Sequence, residues 1–348
     1  MATWFTGSYE GCEDQVGVRS YYDKDNNSWS TPEVICPPIE FNGERYITEQ
    51  VLPLELASGD ILYFTWGIAL SLFKLQKHAG KTTWRRPLTE IKSFTFRFKD
   101  GKRYDVKPLD NIEGNDPEDQ MLFQGQAVLR APQQGPAGGW IIPYEFRPDP
   151  YDNPNFHSRF LFVDGKGNIK RNPDVSIGNP FDETGGGCLE PALTRINDKH
   201  WICLMRYGRQ HENGRVWRSD SHDGGWTFSE AFQTSLRNNH CAVDLEYNEK
   251  NGSLLVAFND SHGLRTPLTI GLSEDLGDTF ITRDLAFSNT TLDGSGASLC
   301  EYSYPKIHTT TDGQTHVLFT YNRSCIAHSK IDLEWLRAGR KANSLKKY

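Results

Sequence analysis

Helical signal is what this chain lacks most. No window of the length a helix needs carries apolar residues at a 3.6-residue period, and 31 glycines with 18 prolines punctuate the sequence at short intervals, leaving an all-β chain as the expectation. There is no 18-residue apolar run, so no helical membrane span is expected. Basic residues are outnumbered 38 to 45, and a net charge of -7 argues against a nucleic-acid partner, which would want a basic face. Seven cysteines, an odd number without paired spacing, suggest reduced thiols rather than a disulfide framework, and none sits at zinc spacing. No metal or cofactor is expected. Asp23-x-Asp25-x-Asn27 starts like a calcium loop but lacks the glycine and the closing glutamate, so it reads as a turn. Gly185-Gly186-Gly187 lacks the strand before and helix after that a phosphate cradle requires, and reads as a place where backbone passes close to a ligand. Residues 1–20 lack a basic start and an apolar core, so an intracellular or already trimmed chain is expected, although five Asn-x-Ser/Thr triplets at Asn26, Asn251, Asn259, Asn289 and Asn322 point the other way.

What is present is repetition. Ser221-x-Asp223-x-Gly225-x-Thr227-Phe228 returns 52 residues later as Ser273-x-Asp275-x-Gly277-x-Thr279-Phe280, each copy following an alternating apolar run. An Asp carboxylate that accepts backbone N–H groups, a glycine for the open backbone and an aromatic anchor describe a hairpin that ties its own loop. Two apolar strands precede each box, and the unit strand, strand, strand, box, strand can be followed through Tyr302–Ile331 and, more faintly, back through Gln50–Trp84 and Gln124–Asp164. Such a period predicts stacked sheets: a six-bladed β-propeller of four-stranded antiparallel blades, with seven blades as the alternative. Residues 1–336 are expected to form this single domain, 92–119 to be an inserted hairpin or the extra blade, and 337–348 to be a basic solvated tail.

In a propeller the first strand of each blade lines the channel. The residues just before these strands, Gln50, Gln124, Glu190, His240 and Tyr302, with Gln126 close by, are then gathered at one opening. The second strands end at Trp66, Arg206, Asn259-Asp260 and Asn322-Arg323. Each member taken singly also reads as a hydrogen-bonded loop residue, Tyr302 as a channel-wall aromatic, and His240 as a neutral histidine at a blade edge. As a set they make a titratable ring.

Gly187-Cys188-Leu189-Glu190-Pro191-Ala192-Leu193 followed by Leu204-Met205-Arg206 and a box, then Arg265 ahead of the second box and Glu301-Tyr302-Ser303-Tyr304-Pro305, resembles the sialidase superfamily in its Asp-box branch. The resemblance is best over residues 185–335. It implies an exo-acting glycoside hydrolase that removes a terminal acidic sugar, with Tyr302 as nucleophile and Glu190 as the carboxylate that takes its proton. It also implies that Arg206 and Arg265 grip the substrate carboxylate, a planar group that forked guanidinium suits. The family's N-terminal Arg-Ile-Pro motif is absent, leaving Arg19 or Arg323 for the third cation, and the nearest candidates for the acid/base Asp are Glu10 and Asp14. A phenol with a pKa near 10 needs such help to act as a nucleophile, and sialidases are the exception among glycosidases that uses one.

Two other readings stay open. His240 beside a tyrosine and arginines also suits an exo-acting lyase on uronate-capped chains, in which Arg acidifies the C5 proton and His or Tyr removes it. A sugar-binding propeller without turnover would keep the arginines alone.

Overall fold

A computed structural model describes residues 1–8, 11–72, 74–78, 81–85, 91–110, 112–113, 121–146, 155–172, 175–178, 186–208, 214–287 and 300–342. The chain divides into two units, Met1–Asp152 with Phe160–Pro173, and Asn153–Arg159 with Asp174–Tyr348. Strands dominate both, so the fold is all-β as the glycine and proline spacing led one to expect.

In the first unit, Ala2–Thr6, Val16–Ser20 and Glu33–Cys36 form an antiparallel three-stranded sheet. A five-stranded antiparallel sheet follows, made of Ile39–Phe41, Glu44–Glu55, Ile61–Ala69, Ile91–Lys99 and Lys102–Pro108. The segment expected as an inserted hairpin thus supplies the two outer strands of this sheet. Ile61–Ala69 is buried on both faces after its first residue, which is why it reads as a continuous apolar run rather than an alternating one. Phe64, Trp66 and Ile68 pack to one side with Phe123 and Tyr144; Tyr63 packs to the other with Phe94 and Phe96.

The second unit opens with Gly186–Arg195, Trp201–Tyr207, Arg215–Ser221 and Phe232–Arg237, four antiparallel strands in sequence order. Asp244–Asn248, Ser253–Asn259, Leu268–Ser273 and Phe280–Ala286 repeat the pattern, and Arg340–Ala342 adds an outer fifth strand from within the expected tail. Tyr302–Thr309, Thr315–Tyr321 and Cys325–Ile331 form the next sheet. The inner strands of the three sheets are tied to one another. Tyr247 N donates to Thr194 Oγ1 at 2.9 Å, and Asp244 Oδ2 and Glu246 Oε1 accept from Ile307 N and Thr309 N at 2.9 and 2.8 Å.

Both boxes close as their residues demand. Asp223 Oδ1 accepts from Trp226 N and Thr227 N at 3.0 and 2.9 Å while Thr227 Oγ1 donates to Oδ2 at 2.6 Å. Asp275 holds Thr279 in the same way, through its N–H at 2.8 Å and its hydroxyl at 2.7 Å. In the first unit Asp23 accepts from Asp25 N and Asn26 N, the turn read from the calcium-like start. A further box there lacked a sequence signature: Asp164 accepts from Lys166 N, Asn168 N and Asn168 Nδ2, with an amide standing where the boxes use a threonine hydroxyl.

Candidate functional site

Two inner strands of the second unit carry the same irregularity. Gly186–Arg195 shifts register between Leu189 and Ala192, and Tyr302–Thr309 shifts between Ser303 and Lys306. Within these bulges Glu190 and Tyr304 both adopt a left-handed backbone, φ 49° and 51°, and each is followed by proline. A bulge leaves one residue outside the ladder and re-aims its side chain. Holding a non-glycine residue left-handed costs on the order of 1 kcal/mol or more, a strain that clusters at functional sites. His240, ahead of the intervening inner strand, is left-handed too at φ 65°, as are Asn322 and Arg323 at 51° and 53°.

These residues enclose a cluster of charges. Arg206 Nε meets Glu190 Oε2 at 2.9 Å with both side chains nearly buried, and Arg206 Nη1 donates to the His240 carbonyl at 3.2 Å. Arg265 Nη1 donates to Glu301 Oε1 at 2.6 Å, and Arg323 Nε to Glu301 Oε2 at 2.9 Å. Ser303 Oγ adds a third bond to Glu301 at 2.6 Å. Burial of Glu301 is outweighed by Arg323, Ser303 and Arg265, so its carboxyl stays below the usual range. The Arg265 guanidinium lies 5.2 Å from the centre of the Tyr304 ring. The Cys241 thiol, pushed up to about 11 chiefly by burial, feels Arg265, Arg206, Glu190 and Glu301 together, which gathers both ion-paired groups around one residue.

His240 Nδ1 bonds the Tyr207 carbonyl at 2.5 Å. A carbonyl only accepts, so Nδ1 carries the proton and Nε2 keeps its lone pair. Burial, then Arg206 and Arg265, hold this imidazole down to about 4, hence neutral near pH 7.

The residues singled out from sequence divide accordingly. Glu190, Arg206, His240, Arg265 and Arg323 come together. Tyr302 belongs to the same strand as Tyr304 but is 5 % exposed, in a cluster with Leu255, Leu268, Ile307 and Phe319. Its phenol is raised by burial, then by Cys300 and Tyr321, and its contact with Arg265 is through backbone, Tyr302 N to the Arg265 carbonyl at 2.9 Å. Tyr302 holds the place in its strand that the buried Cys188 holds in Gly186–Arg195, two residues before the bulged position. Asp14, Gln50, Gln126 and Arg19 lie in the first unit, and Glu10 lies outside the described residues. Asp14 is exposed, and hydrogen bonds from Cys12 and Ser8 hold its carboxyl down to about 2, an environment poor for a general acid near neutrality. Arg19 is paired with Glu33 at 2.8 Å and donates to the Tyr63 hydroxyl. Gln50 sits half-buried at the Thr48–Val51 bulge, and Gln126 is half-buried. Sequence reasoning passed over Tyr304 and Glu301; the shared Glu190-Pro191 and Tyr304-Pro305 pairs were the signal for the first. Among the described residues no group of three His, Cys, Asp or Glu side chains is arranged to hold a metal ion, and no helix is long and apolar enough to cross a membrane.

The family model described as the BNR repeat-like domain matches residues 1–317. No curated protein matches the chain in sequence. Among solved structures, a Hadza microbial sialidase is 15 % identical with a TM-score of 0.68, over 96 % of this chain and 63 % of its own. A mutant of the NanB sialidase from Streptococcus pneumoniae is 11 % identical with a TM-score of 0.64, over 94 % and 65 %. The alpha-L-arabinanase of Penicillium chrysogenum, complexed with arabinobiose, is 13 % identical with a TM-score of 0.58, over 97 % and 90 %. At such identities the likeness is one of fold, all-β and consistent with a β-propeller, and the chain spans less than two thirds of the length of either sialidase.

Proposed function

The chain belongs to the BNR repeat-like domain family, and from that premise we propose that it is a glycoside hydrolase of sialidase type, releasing an acidic sugar from the end of a glycan. The observation that carries this reading is that Glu190 and Tyr304 hold equivalent left-handed, proline-followed bulge positions on two inner strands, each beside an ion-paired arginine. In it Tyr304, rather than Tyr302, is the nucleophile. Glu190 takes the phenolic proton, Arg265 over the ring favours the phenolate, and Arg206 with Arg265 and Arg323 orients the sugar carboxylate. Six four-stranded blades are part of the same proposal and rest on the repeat spacing.

One feature favours a second reading, the uronate lyase. His240 is neutral with its lone pair on Nε2 and feels Arg206 and Arg265, the protonation state a base for C5 proton abstraction needs.

A fluorogenic sialoside and a uronate-capped oligosaccharide, followed by fluorescence and by the ultraviolet absorbance of a new C=C bond, separate the two. The hydrolase reading expects sialoside cleavage that Tyr304→Phe lowers by about 100-fold or more in kcat, while Tyr302→Phe leaves kcat within about threefold. Equal loss in both variants would remove Tyr304 from the role. Absorbance without fluorescence, abolished by His240→Ala, would replace the hydrolase with the lyase, and binding without turnover would leave a lectin.

A further inference from the structure

We propose that the second unit carries a separate binding cavity for a neutral sugar unit, built where the box at Asp223 runs into its outer strand. The two clean boxes leave their turns differently. After Thr279 the aromatic Phe280 opens its strand at once and is 1 % exposed. After Thr227, residues 228–231 intervene before the strand Phe232–Arg237 begins, and Phe228 stays half-buried. This extra stretch, with residues 175–178 and His157, lines a cavity of about 370 Å³, within the size range of small-ligand sites. None of its lining residues belongs to the charge cluster of Glu190 and Arg265.

Both walls are held by hydrogen bonds within the chain. Ser229 N donates to the Asp220 carbonyl at 2.8 Å, and the Ser229 carbonyl accepts from Ser219 Oγ at 2.6 Å. Ser158 and Ile177 exchange backbone bonds of 2.9 Å each, and Ser158 Oγ donates to the Cys188 carbonyl at 3.0 Å. Gly178 lets the His157 ring lie against the backbone, since a Cβ there would come within 2.6 Å of the ring. A cavity shaped in advance spares a ligand the cost of ordering it. Its lining has two kinds of surface. His157 Nδ1 and Ser176 Oγ share a hydrogen bond of 2.9 Å, Arg159 Nε donates to the same hydroxyl at 3.3 Å, and the exposed Glu230 carboxylate lines the same space. Val175, Ile177 and Ala231, all nearly buried, supply apolar surface. A hexose is divided in the same way, into a hydroxyl rim and a C–H face, and the two oxygens of a carboxylate accept from neighbouring hydroxyls. The lining holds no lysine or arginine, and its one carboxylate repels an acid. The cavity and the charge cluster therefore select different sugar units.

The test is ligand-observed NMR on the whole chain with methyl glycosides of glucose, galactose and mannose, with glucosamine as a cation and glucuronate as an anion. At least one methyl glycoside is expected to bind wild type at millimolar concentration. Ser176→Tyr places a ring in the cavity from an exposed position and should abolish that binding. Glu230→Gln should weaken it about tenfold, the scale of a hydrogen bond to a charged acceptor. Glucuronate, read as a ligand of the charge cluster, should bind both variants as it binds wild type. Circular dichroism checks the fold, and Glu230→Gln, at an exposed position, decides alone should the tyrosine variant fail to fold. No binding of any methyl glycoside, or binding that both variants leave unchanged, overturns the proposal. So does glucosamine held more than about tenfold above every neutral glycoside, which would make this a cation site, and so does a parallel loss of glucuronate in both variants, which would merge the two places. Binding of a neutral glycoside without sialoside cleavage keeps the cavity and removes the hydrolase, and cleavage without neutral binding does the reverse.

Discussion

Replacing Arg206 by methionine tests whether the Glu190 ion pair is as enclosed as its geometry makes it. An exposed pair of this kind would be worth roughly 0–1 kcal/mol. Here the two side chains are 10 % and 5 % exposed and meet at 2.9 Å, so methionine leaves a carboxylate in a dry site with its main counter-charge removed. Breaking one partner of a buried pair costs about 3–5 kcal/mol, and the bond from Arg206 Nη1 to the His240 carbonyl is lost as well. Most of that cost is the stranded charge rather than the value of the pair. The double variant Glu190→Gln with Arg206→Met should therefore recover to within about 1–2 kcal/mol of wild type, since a neutral, well-packed replacement is often tolerated. Urea unfolding read by tryptophan fluorescence suits the measurement, because Trp201 and Trp217, both nearly inaccessible, lie on the same sheet as Arg206. A loss under about 1 kcal/mol for the single variant, or a double variant no more stable than the single, would refute the reasoning.

Two further outcomes are expected. His240 has a folded pKa of about 4 against an unfolded value near 6.5, so the unfolded chain binds the extra proton first as pH falls. The stability this residue contributes is present above pH 6.5 and drains away down to about pH 4, to an extent on the order of 3 kcal/mol. Urea midpoints of wild type and His240→Gln at pH 7 and pH 4.5 check it, and equal acid losses in both would contradict it. Asp223→Ala removes the acceptor for Ser221 Oγ, Trp226 N, Thr227 N and Thr227 Oγ1; partly exposed, these bonds together should cost about 2 kcal/mol. Asp23→Ala, on an exposed turn where water replaces the lost acceptor, should cost less than Asp223→Ala, and thermal melts that rank the two the other way would break the account of the boxes.

The boxes were legible because each completes its hydrogen bonding within seven residues, so the sequence that names the residues also names their partners. Where the donor changed chemistry, as at Asp164 with Asn168, the same turn formed without the signature. The ion pairs were legible only as a list of residue types. Arg265 and Glu301 meet across 36 positions, and nothing local to either announces the other. The tyrosines show the limit most clearly. In a regular strand Tyr302 and Tyr304 would point to the same face, and the Tyr-Ser pattern selects the first. The extra residue in the bulge breaks that parity, sending Tyr302 into the core beside Phe319 and leaving Tyr304 beneath Arg265. The proline after Tyr304, matched by the one after Glu190, is the mark this irregularity leaves in sequence. Comparing the inner strands with one another, rather than each with an outside pattern, is what brings Tyr304 forward as the side chain placed for chemistry.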